Sequence, residues 1–348
     1  MVCEKNEKKG KFLYYILGYF WSCMTNTRKA ILIGNGTMGR RHRSRFEACG
    51  VRFVDVLDID AEKRLEKSDF SPEKVDFAVV ASPAATHYHY VKFLLERKIP
   101  VLVEKPLATT AREAMELVDL SLRNDTLLFV AQSECYNPLF LNFRKHLLVD
   151  LRNAVAASKA ACKSELGEGR GHAPLNVKLE FRREHGFSER CRDVDVSLDL
   201  LVHDVSLFLN LFEANDVMWL EENSGCGCDG NGDRCGCHGD GGCGDSVHRT
   251  AKVVSGEFAG VVAEFYANRS SERDIRQISV EFGRNGNMSG FDYSVSLARY
   301  TAAGTVDHIP DSLDNEHRFF LKLLASACKD WARRALMNAA QSIVFISR

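Results

Sequence analysis

Gly34-Asn35-Gly36-Thr37-Met38-Gly39 follows a short apolar run, Ala30 to Ile33, and leads into a helical pattern. That is the setting a dinucleotide fingerprint needs. The first glycine permits a tight turn, the second lets the backbone approach a pyrophosphate, and the third allows close packing of helix on strand. The helix that opens at Thr37 would offer free N–H groups and a favourable dipole to the phosphates, through Asn35, Gly36, Thr37 and Met38 as well as the outer glycines. Asp58 ends the next apolar run, where an acidic side chain can accept hydrogen bonds from a ribose. An acid there repels a 2'-phosphate and favours NAD, while the neighbouring Arg40 and Arg41 leave NADP open. Asp58 and Asp60 could instead serve only to cap the following helix.

Two more places hold reactive side chains. Lys105, in Glu104-Lys105-Pro106, stands at the end of an apolar run, and the carboxyl ends of strands in an open parallel sheet face the ligand crevice. Asp199 and His203 are four apart in a helical stretch and so share one face. A hydride leaves a carbinol carbon only as its hydroxyl proton is lost, and a histidine near its ordinary pKa of about 6.5 can take that proton. From the helix alone, a satisfied core histidine and a solvated aspartate fit better than an active-site pair.

The elements that must position these groups follow from periodicity. Strands are expected at Ala30 to Ile33, Val51 to Leu57, Val75 to Ala81, Val101 to Glu104 and Leu127 to Ala131, with helices over Thr86 to Arg97 and Thr110 to Arg123. Alternating strands and helices mean a doubly wound parallel sheet. After Asn137-Pro138 the pattern changes to a helix over Leu139 to Val149, a polar stretch from Ser164 to Pro174, a strand from Asn176 to Arg182 and a helix from Val194 to Phe212. Strands near Thr250 to Gly256, Val261 to Ala267, Ile275 to Phe282 and Tyr293 to Arg299 follow, then helices from Leu313 and Trp331. The fold class is α/β: a Rossmann domain over 29–136, then an α+β domain over 137–348 with a mostly antiparallel sheet.

Composition narrows the partners. Lys plus Arg number 46 against 47 Asp plus Glu, so no excess positive field draws nucleic acid or anionic lipid. Five of the 12 cysteines (Cys226, Cys228, Cys235, Cys237 and Cys243) fall in the Gly-rich stretch 223–246, which reads as an exposed insertion. Its thiols and His238 could suit a soft metal, but the Cys-x-Cys spacing is not that of common zinc modules, and no metal is assigned to the main chemistry. The scattered remainder suits a reducing, cytoplasmic setting. Residues 1–28 join a Lys-rich start to an apolar run too short to span a bilayer, and are read as an extension outside the core, with a targeting signal as the alternative.

Taken together, GNGTMGRRH, SPAATH, VLVEKPLA, the junction Tyr136-Asn137-Pro138 and DLLVHD resemble the Gfo/Idh/MocA family of NAD(P)-dependent oxidoreductases, in family order over roughly residues 29 to 346. The resemblance implies that Lys105 is the active-site lysine and that Asp199 and His203 are its Asp-x-x-x-His pair. His203 would then be the general base, Lys105 would stabilise charge on the reacting oxygen, and Asp199 would orient substrate or base, with Asp204 a second candidate for orientation. It places Ser82, Pro83, His87, Glu104 and Lys105 around the cofactor and implies a cis Lys105–Pro106 peptide. It also implies a sugar, cyclitol or nucleotide-sugar substrate, and a homo-oligomer. The stretches 193–204 and 268–273 look similar to relatives acting at the 3-hydroxyl of UDP-N-acetylhexosamines. Tyr136, Asn137, Arg182 and Arg269, with Arg273, are the candidate substrate contacts, the arginines for a diphosphate. A free-sugar or inositol dehydrogenase is the alternative, and a non-catalytic dinucleotide-binding regulator is the reading from another class.

Overall fold

The computed structural model describes residues 27–67, 70–166, 174–186, 194–212, 216–221, 245–283, 290, 292–297, 311–325 and 330–347. The targeting reading of the N-terminal stretch and the metal reading of the Cys/Gly-rich insertion both fall outside these residues.

Strands β1 (Lys29–Ile33), β2 (Arg52–Leu57), β3 (Phe77–Val80), β4 (Val101–Glu104) and β5 (Leu128–Ala131) alternate with helices α1 (Thr37–Ala48), α2 (Ala61–Lys67), α3 (Ala84–Glu96) and α4 (Ala111–Arg123). They form one sheet in the order β2-β1-β3-β4-β5, every pair parallel. Both faces are covered, so the strands are apolar throughout: Ile31 and Ile33 pack on one side, Ala30 and Leu32 on the other. The order reverses beside β1, which sets the crevice at the carboxyl ends of β1 and β3.

Asn137 accepts from the Leu139 amide at 2.9 Å and so caps α5 (Pro138–Leu166), with proline at the first helical position. This helix runs well past the expected end at Val149. Strand β6 (Val177–Glu184) follows, then a π turn (Ser197–Leu201) that runs directly into α6 (Val202–Leu211). Next come β7 (Val217–Glu221), β8 (Ser246–Val253), β9 (Val261–Asn268), β10 (Ile275–Phe282) and β11 (Tyr293–Ser296). The second sheet has the order β11-β10-β6-β9-β8-β7, antiparallel except where β6 meets β9. Alternation along β6 and β9 turns Phe181 and Phe265 toward α6, where Phe208 meets both rings at centroid distances of 6.1 and 5.5 Å.

The last two helices return to the first domain. In α7 (Ser312–Ala325), Phe320 is fully buried against Phe46, Phe77 and Phe129. Helix α8 (Asp330–Ile346) packs Leu336, Ala340 and Ile343 beneath the parallel sheet while Phe345 joins the core of the other sheet. Trp219 stacks on Phe345 at 4.0 Å, and Arg249 donates to the Ile346 carbonyl at 2.8 Å. Residues 137–348 are therefore continuous in sequence but not confined to one layer: their final helices complete the cover of the Rossmann sheet. Among the described residues no helix is long and apolar enough to cross a membrane.

Candidate active site

The glycine turn separates into two kinds of position. Gly34 has φ +92°, and a Cβ there would lie 2.5 Å from the Ala81 carbonyl oxygen. A Cβ on Gly39 would lie 1.9 Å from the carbonyl oxygen of Gly34. Both glycines are required by the protein's own packing. Gly36 is different, because a Cβ there would meet nothing within 4 Å. The space beside Gly36 fronts the amino end of α1, which has no side-chain cap and no acidic residue in its first turn. Unclaimed N–H groups facing open space fit a pyrophosphate. Arg40 donates to the Asn35 carbonyl at 2.8 Å and so braces the turn. Asp58 is exposed just beyond β2, and its carbonyl, not its side chain, bonds the first turn of α2 through Ala61 N at 2.8 Å.

The ends of β3 and β4 are locked together. His87 is buried, with Nδ1 2.7 Å from the Pro106 carbonyl and Nε2 2.9 Å from the Ser82 carbonyl. Rather than facing the crevice, His87 ties the Ser82-Pro83 bend to the Lys105-Pro106 peptide, which is cis. Ser82 Oγ accepts from Thr86 at 2.7 Å, and exposed Pro83 begins α3. Glu104 accepts from His42 at 2.7 Å through Oε1 and from the Lys105 amide at 3.1 Å through Oε2. Burial works to raise the Glu104 pKa, but the hydrogen bond and charge of His42 and the charge of Lys105 outweigh it and hold the carboxyl below its ordinary value.

Lys105 reaches across the crevice. Its Nζ donates to the Asp199 carbonyl at 2.7 Å and to Asp199 Oδ1 at 3.1 Å. Asp199 sits in the π turn ahead of α6, a local widening of the helix that is frequent at functional sites. Next along this face stands His203, partly exposed, with Nδ1 buried and without a hydrogen-bond partner among the described residues. Burial, with Lys105, Arg183, Arg276 and His185 nearby, holds its pKa well below 6.5. The ordinary value expected from sequence is thereby corrected: the imidazole is neutral at neutral pH. The structure brings together Lys105, Asp199 and His203.

Asp204 points elsewhere. Its carboxylate forms a buried pair with Arg183, Nη2 at 2.8 Å and Nε at 3.1 Å, and Arg183 also meets Glu134 at 3.4 Å. Burial raises the Asp204 pKa even against the neighbouring guanidinium. This pair ties β6 to α6 and holds the helix that presents His203. Arg182, expected as a substrate contact, is on the opposite pleat, paired with Glu184 and lying over the Tyr266 ring at 4.8 Å. A shift of one residue along a strand reverses the face, so Arg183 is the arginine on the side of α6. Arg269 is engaged by Asp245 and the Val194 carbonyl, both at 2.9 Å, and tethers the chain ahead of the π turn. Tyr136 packs against Phe129 and Phe319, and the Asn137 side-chain oxygen is committed to its cap.

Sequence reasoning missed a buried group behind Lys105. His42 Nδ1 lies 2.7 Å from His317 Nε2, and Glu316 is fully buried with neither carboxyl oxygen bonded among the described residues. Burial, with Glu104 nearby, keeps Glu316 far above its ordinary pKa and hence neutral. The only sequence signal was His42 on the inner face of the fingerprint helix, because His317 comes from an element 275 residues away.

Residues 28–132 match the model of the oxidoreductase family GFO_IDH_MocA, described as an NAD-binding Rossmann fold. Over 197 residues the chain is 25% identical to UDP-N-acetylglucosamine 3-dehydrogenase of Acidithiobacillus ferrooxidans, covering 53% of the chain and 55% of that protein. Over 198 residues it is 28% identical to inositol 2-dehydrogenase of Acidothermus cellulolyticus, covering 52% of each. The matches thus span about half the length of these curated relatives. A solved structure of the A. ferrooxidans 3-dehydrogenase GnnA superposes with a TM-score of 0.57 at 20% identity, covering 92% of this chain and 97% of that one. That likeness extends the fold across both sheets.

Proposed function

We propose that this chain, whose N-terminal domain belongs to the NAD-binding Gfo/Idh/MocA oxidoreductases, transfers a hydride between NAD and a hydroxyl-bearing carbon of a sugar or nucleotide sugar. The observation that carries the reading is the contact of Lys105 with Asp199 beside a neutral His203, opposite a glycine turn open to a dinucleotide. Bound NAD would supply the hydride acceptor. The chain's own groups handle the proton and the charge. His203 takes the hydroxyl proton. Lys105 faces the same point and stabilises the oxygen as it gains negative charge. Asp199 holds the lysine by two contacts, and the Arg183–Asp204 pair holds the helix that presents His203.

Within this class the preferred substrate is the 3-hydroxyl of a UDP-N-acetylamino sugar. It is supported by the similarity to UDP-N-acetylglucosamine 3-dehydrogenase and by the local likeness of residues 193–204 and 268–273. Inositol or a free sugar is the second reading, favoured by the similarity to inositol 2-dehydrogenase and by Arg182 and Arg269 being paired within the protein. The test is a panel of UDP-N-acetylglucosamine, its uronate, inositol and free sugars with NAD and with NADP, following reduced-nicotinamide absorbance. Turnover of a UDP-sugar with NAD that disappears in His203→Ala supports the first reading. Turnover of inositol alone supports the second, and a panel without turnover contradicts both.

A further inference from the structure

Beneath Lys105 lies a chain of three side chains drawn from three elements: partly buried Glu104 at the end of β4, and buried His42 in α1 and His317 in α7. The proton positions can be worked out from partners. Glu104 accepts the Lys105 amide on Oε2 and faces a positive ammonium, so it acts as a carboxylate and accepts from His42 Nε2 on Oε1. His42 Nδ1 then keeps a lone pair, which requires the proton of His317 on Nε2, the atom 2.7 Å away. His317 Nδ1, which has no partner among the described residues, is left with an unused lone pair rather than a stranded N–H. Any arrangement that protonates His42 Nδ1 forces His317 Nε2 to accept and leaves a buried N–H with nothing to bond. Both donors point toward the carboxylate, and such aligned bonds reinforce one another.

The ring that completes this chain is held in place independently. Phe46 lies against His317 at a centroid distance of 4.0 Å, and Arg45 of α1 pairs with Asp311 at 2.7 Å and Asp314 at 3.1 Å at the start of α7. The chain therefore links α7 through the fingerprint helix to the lysine loop.

We propose that His317 is a positioning residue: its Nε2–H donates to His42 Nδ1, fixing the His42 proton on Nε2 toward Glu104, so that the carboxylate holds the Lys105 amide and orients the lysine. The proposal rests on the functional reading above only for its effect on turnover, since the proton positions exist without substrate. The test is ¹⁵N spectroscopy of histidine-labelled full-length protein near neutral pH, with the His42 signals assigned by their loss in His42→Gln. Wild-type protein should show His42 as the neutral Nε2–H form. His317→Gln, whose amide can donate to the same atom, should preserve that form and the turnover. His317→Phe, which keeps the ring but not the donor, should lose the single form. Its kcat should fall about tenfold to a hundredfold, as expected of a displaced catalytic group, with KM for the sugar little changed.

A wild-type His42 carrying its proton on Nδ1, or on both nitrogens, would overturn the proposal, as would an unaltered His42 spectrum in His317→Phe. If His317→Phe does not fold, His317→Gln and the wild-type spectrum still decide it. Because the spectra need no turnover, an absence of sugar dehydrogenase activity would count against the functional reading and leave this test standing.

Discussion

At the amino end of α1 the proposed cofactor contact is made by main chain, whereas across the crevice the proposed chemistry falls to the side chains of Lys105, Asp199 and His203. The first arrangement needs glycine wherever backbone approaches backbone, and a helix start left uncapped. The second needs charged groups whose positions depend on other polar side chains: Asp199 on Lys105, Asp204 on Arg183, Glu104 on His42. A backbone site tolerates change until a Cβ collides. A side-chain site loses function when a partner two contacts away is removed.

Substitutions should separate the two regions. Gly39→Ala should have the largest effect, because its Cβ would lie 1.9 Å from the Gly34 carbonyl oxygen. Thermal unfolding should show a protein that no longer forms the turn. Arg183→Ala leaves Asp204 buried and unpaired, and should cost about 3–5 kcal/mol in denaturant unfolding. An unaltered midpoint would mean that the pair does not hold α6. Lys105→Met should lower kcat about 100-fold to 1,000-fold. Gly36→Ala is the mild counterpart of Gly39→Ala: since nothing lies within 4 Å, folding should be kept and NAD affinity should fall about tenfold. If Gly36→Ala destabilised the fold instead, the distinction between packing and cofactor glycines would fail.

The smallest effect concerns pH. Burial depresses the pKa of His203 well below 6.5 and that of His317 to about 2. Below pH 6.5 the unfolded chain binds protons that the folded chain does not, so stability falls as pH falls toward the folded values, by up to about 1.4 kcal/mol per pH unit for each histidine. His317→Phe should remove one such increment from the slope between pH 6 and pH 5. For the same reason the acid limb of kcat/KM should lie below pH 6.5.

The glycine turn and the parallel sheet around it were legible in the sequence because they depend on local rules. Glycines at positions 34, 36 and 39, an apolar run before them and Asp58 after the next strand all lie within a few residues of their own elements. The mostly antiparallel second sheet was legible as well, from alternation along its strands. What escaped depends on tertiary pairing. Nothing local distinguishes Arg182 from Arg183, yet the pleat turns only Arg183 toward Asp204. The π turn at Asp199 follows no propensity, and His87 reads as a crevice residue until its two carbonyl partners are known. Strand β7 was not expected, although its pairing with β8 forms the sheet edge.

Lys105 is the residue on which the proposed chemistry most directly depends. Measuring NAD binding by titration and turnover on the best substrate, side by side in wild type and Lys105→Met, separates the two regions in one experiment. The account predicts an NAD affinity within about a factor of two and a turnover lowered at least about 100-fold. Turnover that survives the substitution would contradict the placing of the chemistry at the Lys105–Asp199 contact.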